Sequence, residues 1–396
     1  MLRIIHTADV HLGARHDDLG EQAAAQRERQ FAAFKAAVDL ALDERVDLFL
    51  VAGDLFDSNV QPRRSVERVA AELRRLAEAR IRSVIIPGTH DCYDRASIYR
   101  AYDLATMAIG AAAGSPSTLP DGMVTILDPD RPSVHLPSLD ATVHARIFAT
   151  KRAPYSPLRD PLVTGDGPAV TWRIGLLHGS ISIPGKTEHD EVVVTTDEIA
   201  RSGLDYLALG HWHSMQQGRV GPVTYAYAGA PEAVALDQAG AGKVLIVELD
   251  QRDGQRSVSI AERSVGRTRF QKLDVDAAVV ADQPALIGQL AARADPDLVL
   301  DVRLVGVRRD DLDLDRDEIE AALAPSFLKV RVRDASMPAL TNGPLPSADT
   351  IAGAFIRDLE ARIGELEGAG KVDEAAEQRD ALRLGRLLLA GHEVAL

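Results

Sequence analysis

The most informative stretch of the chain is Leu48-Phe49-Leu50-Val51-Ala52-Gly53-Asp54-Leu55-Phe56-Asp57. Its apolar run is typical of a buried strand, and the glycine allows a tight turn into a loop with two carboxylates. An apolar run followed by acidic or histidine side chains recurs, and we call these loops the five motif loops. They are Asp9-Val10-His11, Gly53-Asp54-Leu55-Phe56-Asp57, Gly88-Thr89-His90-Asp91, Leu177-His178-Gly179 and Gly210-His211-Trp212-His213. Loops at the carboxyl ends of parallel strands carry the chemistry of open α/β sheets, so we expect these loops to meet.

The side chains of the five motif loops form a ligand set for divalent metals. Five of the 11 histidines of the chain fall in these loops, together with several aspartates. Imidazole nitrogens and carboxylate oxygens bind first-row divalent ions. About seven such ligands are too many for one ion but suit two ions that share a carboxylate, as in two-metal phosphoryl-transfer enzymes. The sequence therefore predicts a binuclear metal centre.

Two of the loops carry a pair of ligands separated by one residue. Asp9 and His11 would lie on one face of an extended segment, where they could chelate one ion. His211 and His213 have the same spacing, so both would face the site, one toward each ion.

The other loops are expected to supply a bridging carboxylate, a further nitrogen ligand and a general acid. Asp54 is placed to project an oxygen between the two ions, and His178 adds a nitrogen from its own strand end. Asp57 and Asp91 are interpreted as residues that orient ligands or cap a helix, although Asp57 could also be a ligand. His90 is interpreted as a free acid rather than a ligand, because an uncoordinated imidazole can protonate a leaving oxygen.

Composition limits the class of protein. The chain has 396 residues, a net charge of −14, 46% hydrophobic residues and 26% charged residues, which suits a globular protein of two or three domains. The acidic balance argues against a protein that coats nucleic acid by itself, but not against a DNA enzyme. No apolar run reaches the ~20 residues that span a bilayer, and Met1-Leu2-Arg3-Ile4-Ile5 lacks a signal peptide. The one cysteine, Cys92, fits a reducing compartment, so we expect a cytoplasmic location without membrane contact.

The order of apolar runs predicts an α/β domain over residues 1–262. Strand-like runs alternate with helical runs, including helices over about 22–44 and 63–80. After His213 the runs become closely spaced strands, which we expect to extend a second sheet into a sandwich of sheets. These strands cover residues 223–228, 243–249 and 257–261.

The remaining chain divides into three parts. Residues 263–333 follow a β-α-β-α-β pattern typical of a small α+β domain. Residues 334–346 are rich in proline and read as a linker. Residues 347–396 contain two helical runs, 349–367 and 373–390, and the first has one apolar stripe. The stripe consists of Ile351, Phe355, Leu359, Ile363 and Leu366. It could pack on the chain's own domain or on a partner helix.

The order Asp-x-His, Gly-Asp-x-x-Asp, Gly-x-His-Asp, His and Gly-His-x-His resembles the calcineurin-like metallophosphoesterases. Longer segments resemble the SbcD-type DNA double-strand-break repair exonucleases. These segments are His6-Thr7-Ala8-Asp9-Val10-His11-Leu12-Gly13, Ala52-Gly53-Asp54-Leu55-Phe56-Asp57, Ala208-Leu209-Gly210-His211-Trp212-His213 and Tyr227-Ala228-Gly229-Ala230-Pro231-Glu232. The resemblance implies a layered two-sheet α/β sandwich flanked by helices, with a small α+β capping domain and a C-terminal helical hairpin.

The resemblance also implies a role for each ligand. Asp9, His11 and His213 would hold one ion, Asp54 would bridge, and His178 and His211 would hold the second, with His90 as the catalytic histidine. The metal would be manganese, with iron or zinc as alternatives. Thr89 departs from the family, which has asparagine as a ligand there. A hydroxyl is a shorter and poorer donor than an amide oxygen, so the second ion should be bound more loosely.

Three functions follow as alternatives. In the first, the chain is a DNA exonuclease and endonuclease that dimerises, with the 98–107 stretch as a candidate interface, and works with an SbcC-like coiled-coil ATPase docked on the C-terminal helices. In the second, it hydrolyses phosphoproteins or small phosphoesters. In the third, it is a non-catalytic assembly subunit with a structural metal site. Candidate DNA contacts are Arg15, Arg63, Arg64, Arg95, Lys151 and Arg152.

Overall fold

The computed structural model forms two compact units, residues 1–270 and 271–396. It describes the chain except residues 111–118, 121, 164–166, 188, 235–237, 239, 310–311, 339–345 and 390–396, and except the side chains of Asp18, Arg383 and Leu387. Most of the predicted linker, 339–345, and the chain end from residue 390 therefore lie outside the described residues. Within the described ranges, no helix combines the length and apolar character needed to cross a bilayer.

The first unit contains, among its described residues, 14 strands and five α-helices. The strands are β1 (Leu2–Thr7), β2 (Leu48–Ala52), β3 (Arg82–Ile86), β4 (Val124–Ile126), β5 (Ser133–Leu136), β6 (Ala141–Ala145), β7 (Trp172–His178), β8 (Ser180–Ile181), β9 (Val193–Val194), β10 (Tyr206–Gly210), β11 (Gln216–Val220), β12 (Val223–Tyr227), β13 (Lys243–Arg252) and β14 (Gln255–Ser264). The helices are α1 (Ala23–Asp43), α2 (Arg63–Glu78), α3 (Ile98–Ala101), α4 (Leu104–Ile109) and α5 (Thr196–Arg201).

Two six-stranded sheets organise this unit. The first has the order β14-β13-β1-β2-β3-β4, and the second has the order β11-β12-β10-β7-β6-β5. The inner strands β1 to β4 run parallel to one another, as do β6, β7, β10 and β12. Parallel neighbours bring their carboxyl ends to one edge of each sheet, which gathers the loops that follow them.

The central strands of the sheets, such as β2 and β10, are buried on both faces, which explains their nearly continuous apolar sequences. In β2, Leu48 and Leu50 pack with residues of the second sheet, such as Ile174 and Tyr206. Phe49, which points the other way, packs with side chains of α1 and α2. The outer face of the second sheet is covered in turn by α5. These layers confirm the predicted two-sheet α/β sandwich flanked by helices.

One sheet assignment was wrong. The strands after residue 242 were expected to extend the second sheet, but β13 pairs antiparallel with β1 and β14 pairs with β13, so both belong to the first sheet. The cause is the long-range register that places Leu2 beside Leu249, which local patterning does not encode. Strand β14 also continues to Ser264, so the predicted boundary after residue 262 falls inside a strand.

The second unit has its own apolar core. Its elements are β15 (Arg269–Asp276), α6 (Gln283–Ala291), β16 (Asp295–Val305), β17 (Val307–Arg308), α7 (Arg316–Leu323), β18 (Phe327–Asp334), β19 (Met337–Pro338), α8 (Ile351–Gly368) and α9 (Val372–Leu389). A three-stranded sheet has the order β15-β16-β18, and Leu286 of α6 and Ile319 of α7 are buried with its side chains.

Helices α8 and α9 pack against each other as a hairpin. The buried positions of α8 include Ile356, Leu359 and Ile363. Of the predicted stripe, Leu359 and Ile363 are among these buried positions, whereas Ile351 is 84% exposed. Ile351 is the first residue of the helix, after the Thr350 cap, where no preceding turn covers it.

Candidate metal centre

The five motif loops follow strands of both sheets at their carboxyl ends. Asp54 comes two residues after β2, His178 is the last residue of β7, and His211 follows β10 directly. Backbone hydrogen bonds join the first two loops, from Asp9 N to Gly53 O at 3.1 Å and from His11 N to Asp54 O at 3.0 Å. The loops therefore support one another's conformation.

Several predicted ligands have an unusual backbone. The φ angles of Asp9, His11, Asp54 and His211 are 52°, 50°, 51° and 102°, in the left-handed region that few non-glycine residues adopt. The expectation that Asp9 and His11 alternate along an extended segment is therefore wrong, and the same holds for His211 and His213. These side chains face the site because the backbone turns at them. Such backbone strain is concentrated at functional sites.

Close packing of the backbone explains two of the glycines. Gly53 has a φ of +87°, and a Cβ atom there would lie 2.4 Å from Nδ1 of His178. A Cβ atom on Gly210 would lie 2.0 Å from the carbonyl oxygen of Ala52. Larger residues at these positions would push the two sheets apart at the site.

Asp9, His11 and His213 form the first group of candidate ligands. One ligand atom from each lies within 4.8 Å of the others. The Nε2 atoms of His11 and His213 face each other at 3.2 Å. Nδ1 of His11 lies 3.2 Å from an oxygen of Asp57, and Nδ1 of His213 contacts the side-chain amide of Gln238. Both rings are thus fixed through Nδ1, which leaves Nε2 to bind a metal.

The second group of candidate ligands consists of Asp54, His178 and His211. Ligand atoms of Asp54 and His178 lie within 4.8 Å of each other and of one from Asp9, and the His211 ring stands beside His178. Nδ1 of His178 donates to the Ala52 carbonyl oxygen at 2.9 Å. Nε2 of His178 is buried 3.1 Å from Oδ2 of Asp54, without hydrogen-bond alignment and with no other partner among the described residues. The His178 and His211 rings are 5.3 Å apart in an edge arrangement. A buried ring nitrogen with no hydrogen bond fits a metal ligand.

Oδ2 of Asp54 lies between the two groups. It is 3.1 Å from Nε2 of His178 and 3.8 Å from Nε2 of His11. Oδ1 of the same carboxylate accepts a hydrogen bond from the His90 amide at 2.7 Å. One oxygen is therefore fixed by the backbone and the other is available to both groups, as a bridging ligand requires.

The charges of the site suit a cation. Burial lowers the pKa of His211 to about 4 and that of His213 to about 3, so both imidazoles are neutral near pH 7. Burial raises the pKa of Asp9 to about 6. Burial also opposes the charged form of His178, but the negative charge of Asp54 has the larger effect and raises the pKa of His178. His178 in turn holds the pKa of Asp54 low. A divalent cation can replace the His178 proton, because a ligating imidazole is neutral.

His90 stands at the rim of the site. Its side chain is 43% exposed, and Nδ1 lies 3.0 Å from the carbonyl oxygen of Asp57. The His90 and His11 rings are 4.6 Å apart. His11, Asp57 and His90 also form a cluster of possible ligands. The geometry therefore admits both of the roles considered for His90, acid and ligand.

Thr89 and Asp91 lie on either side of His90 and behave differently. The Thr89 hydroxyl is buried and donates to Oδ2 of Asp54 at 3.4 Å. Asp91 accepts hydrogen bonds from the Gly88 amide and the Tyr99 hydroxyl, and burial raises its pKa. Asp91 thus fixes the turn formed by residues 88–91, whereas Thr89 brings only a hydroxyl group to the site.

The six candidate DNA contacts are all exposed. Lys151 lies 3.7 Å from Glu191, and Arg152 donates to the His189 carbonyl oxygen, which puts both beside the loop next to His211. Arg63 is paired with Glu67 on its own helix. Arg15, Arg64 and Arg95 lie on the surface after the early motif loops.

Two residues beside the site were missed by sequence reasoning. Gln238 contacts His213, and Asp190 lies near His211. Neither belongs to a motif with ligand spacing, so the sequence carried no signal for them beyond the acidic character of the 188–191 run. Cys92 is buried, and burial raises its pKa, which disfavours the nucleophilic thiolate form.

A two-sheet sandwich whose strand ends gather aspartates and histidines defines a metal-dependent hydrolase of phosphate esters. Residues 2–215 match the model of the calcineurin-like phosphoesterases, and the chain belongs to this family. The family uses divalent metals, which the Asp and His clusters are suited to hold.

The chain is similar to several curated proteins. The DNA double-strand break repair protein Mre11 of Aeropyrum pernix is 30% identical over 259 residues, which cover 63% of this chain and 58% of that protein. Mre11 of Halobacterium salinarum is 24% identical over 307 residues, covering 77% and 71%. The uncharacterized metallophosphoesterase YhaO of Bacillus subtilis is 27% identical over 259 residues, covering 64% and 58%. The match thus spans less than two thirds of the Aeropyrum and Bacillus proteins.

Among solved structures, TT1561 of Thermus thermophilus is similar at 14% identity and a TM-score of 0.39, over 67% of this chain and 99% of that one.

Proposed function

We propose that this protein is a metal-dependent nuclease that hydrolyses phosphodiester bonds of DNA. The observation that carries the proposal is the position of Asp54 Oδ2, within 3.8 Å of Nε2 of both His11 and His178. An oxygen shared in this way suits two ions, one held by Asp9, His11 and His213 and the other by His178 and His211. Manganese fits this mixture of nitrogen and oxygen donors, as do iron and zinc.

Two bound cations would lower the pKa of a water molecule and neutralise charge on the phosphate. The protein's own groups do the rest. Asp57 and the Ala52 carbonyl oxygen orient His11 and His178, so that Nε2 of each ring faces the site. His90, half-exposed at the rim, can donate a proton to the departing oxygen of the phosphodiester. The reaction needs no nucleophilic side chain and no covalent intermediate.

The choice of DNA as the substrate rests on the relatives and on the surface. Two relatives named above are DNA double-strand break repair proteins. Exposed Lys151 and Arg152 beside the 189–191 loop provide positive charge near the site. We further propose that the chain works as the nuclease subunit of an SbcCD-like complex and that it dimerises. The capping role of residues 263–333 is part of the same proposal.

The test is a comparison of substrates with one preparation of the full chain. Linear duplex DNA, a phosphopeptide and a small phosphomonoester are each incubated with Mn²⁺, and the products are quantified. Cleavage of DNA well above turnover of the other two supports the proposal. Preference for the phosphopeptide or monoester would replace it with a general phosphoesterase, and metal binding without turnover of any substrate would favour an assembly subunit.

The substitution Thr89→Asn is expected to increase the affinity of the site for the second ion. The longer amide brings a carbonyl oxygen into a site where the hydroxyl now reaches only Asp54, at 3.4 Å. Activity at limiting Mn²⁺ should rise, by about the 10-fold to 100-fold that residues supporting a metal site typically contribute. Isothermal titration calorimetry measures the change, with Thr142→Asn on β6 as the control. Two equally tight ions in the unaltered protein, and no gain on substitution, would contradict the idea of a weakened site.

Removal of residues 347–396 is expected to abolish binding to a coiled-coil ATPase partner while leaving the nuclease fold intact. Helices α8 and α9 form a hairpin, and two helices this short bury too little surface for stability by themselves. They therefore suit a docking element. The melting temperature, metal-dependent cleavage of a short duplex and co-purification with the partner are measured for the chain ending at Pro346. Unfolding of the shortened chain would assign the hairpin to the protein's own core.

A further inference from the structure

A carboxylate outside the five motif loops lies beside the second ligand group. Oδ2 of Asp190 is 3.9 Å from Nε2 of His211. The Ser180 hydroxyl donates to this oxygen, and the Trp212 indole nitrogen donates to Ser180 at 3.0 Å. The indole is stacked on the Tyr227 ring, with the ring centres 4.5 Å apart. The carboxylate is thus held in place by a chain of hydrogen bonds that ends in a packed aromatic pair.

The distance between Asp190 and His211 helps to distinguish a hydrogen bond from joint coordination of a metal ion. A hydrogen bond between a ring nitrogen and a carboxylate is about 2.7–3.2 Å long, so 3.9 Å is too far for one. Two atoms bound to the same ion, each at about 2.1 Å, can lie up to about 4.2 Å apart. The separation therefore fits two ligands of one cation better than it fits a histidine and a residue that orients it.

The second group has one carboxylate of its own, because Asp9, which clusters with Asp54 and His178, is assigned to the first ion. Its members are two imidazoles, His178 and His211, and a carboxylate oxygen of Asp54 that also faces His11. Thr89 brings only a hydroxyl, which is engaged with Asp54. Nε2 of His178, whose side chain is 3% exposed, lies 3.1 Å from Oδ2 of Asp54 and has no hydrogen-bond partner among the described residues. A further carboxylate oxygen would suit Mn²⁺, because carboxylates are among the ligands that this ion takes readily.

We propose that Asp190 supplies a carboxylate oxygen to the ion held by His178 and His211. The inference rests on the two-ion centre of the proposed function. Asp190 would add the charge and the oxygen atom that Thr89 does not bring. It would also connect the second ion, through Ser180 and Trp212, to the second sheet.

The first test measures metal binding, not catalysis. Asp190→Asn keeps an oxygen that can accept the Ser180 hydrogen bond but removes the charge. Calorimetric titration of the full chain with Mn²⁺ should show the weaker ion bound at least about 10-fold to 100-fold less tightly, with the tighter ion unchanged. Glu191→Gln is the matched control, because Glu191 is the next carboxylate in the chain, its charge also acts on His211, and its side chain lies 3.7 Å from Nζ of Lys151. Glu191→Gln should leave both affinities unchanged.

The second test reports direct coordination. In Asp190→Cys, Cd²⁺ at the second site should give the ultraviolet charge-transfer band of a thiolate bound to a soft metal. The unaltered chain, whose one cysteine is the buried Cys92, is the blank. A band that saturates with the second equivalent of Cd²⁺ supports the proposal. Absence of a band in a folded variant that binds both ions overturns it.

The outcomes separate this inference from the proposed function. Two ions bound by the unaltered chain and bound equally well by Asp190→Asn would overturn the role of Asp190 and leave the nuclease proposal standing. Failure of the unaltered chain to bind a second ion would overturn both. A circular dichroism melting curve for each variant identifies any that fails to fold. In that case Ser180→Ala is used instead, because it releases Asp190 without changing its charge. Ser180→Ala should weaken binding of the second ion.

Discussion

His90→Asn is expected to keep its full metal content and to lose about 10²-fold to 10⁴-fold of the DNA hydrolysis rate, the range that general acid catalysis typically contributes. The ring is half-exposed at the rim, and its Nδ1 lies 3.0 Å from the Asp57 carbonyl oxygen. With that nitrogen engaged, Nε2 remains free to give a proton to the leaving oxygen. Asparagine retains a polar side chain of similar reach but cannot serve as an acid near pH 7.

The measurements are metal content by elemental analysis and the initial rate of cleavage of linear duplex DNA with Mn²⁺. His135→Asn is a suitable control, because His135 is an exposed histidine of β5, and its contact is with Thr142. That variant should cleave at the unaltered rate. If His90→Asn instead loses an ion, then the cluster of His11, Asp57 and His90 is a ligand set, and the acid role is wrong.

The sequence predicted the convergence of the motif loops, but one of the reasons was wrong. The ligand types and their positions after apolar runs were enough to indicate a site at the strand ends. The one-residue spacing of Asp9 and His11 suggested an extended segment, whereas both residues have positive φ angles. Local composition does not reveal such a backbone, because it is imposed by contacts between loops, such as the hydrogen bond from His11 N to Asp54 O.

The sequence also did not predict which strands pair over long distances in the chain. The pattern of β13 and β14 identified strands but not their sheet, because the choice depends on pairing with β1 from the other end of the unit. The same applies to Gln238 and Asp190, which approach His213 and His211 from loops without a motif. By contrast, Gly53 was singled out from its motif, and its φ of +87° agrees with the tight turn expected there.

Asp54→Asn is expected to affect the metal centre more strongly than His90→Asn does. Oδ2 of Asp54 is the oxygen that faces both ligand groups, so loss of its charge should weaken both ions, whereas changes at other ligands affect mainly one. We expect fewer than two ions per chain at metal concentrations that saturate the unaltered protein. Because the metal-derived stabilisation of the reaction is lost with the ions, the rate of hydrolysis should fall by at least about 10²-fold to 10³-fold.

Two variants distinguish loss of a bridge from general damage to the site. Asp57→Asn removes the charge of the carboxylate that orients His11 through Nδ1 but removes no proposed ligand, so it should weaken one ion by about 10-fold to 100-fold and leave the other in place. In metal-free Asp54→Asn, the pKa of His178 should fall, since Asp54 is the neighbour that raises it against the effect of burial. Nuclear magnetic resonance of the histidine ring protons follows this titration.

An unchanged His178 pKa together with unchanged metal content in Asp54→Asn would contradict the bridging role. The shared oxygen would then be only a close contact between two packed loops. In that case each ion would have to be held by its own group, with Asp9 as the principal carboxylate of the first. The ligand atoms within reach of Asp9 are those of His11 and His213 on one side and of Asp54 and His178 on the other. The distinction therefore decides whether the second ion depends on the first, because a bridging Asp54 couples their affinities and separate sites do not.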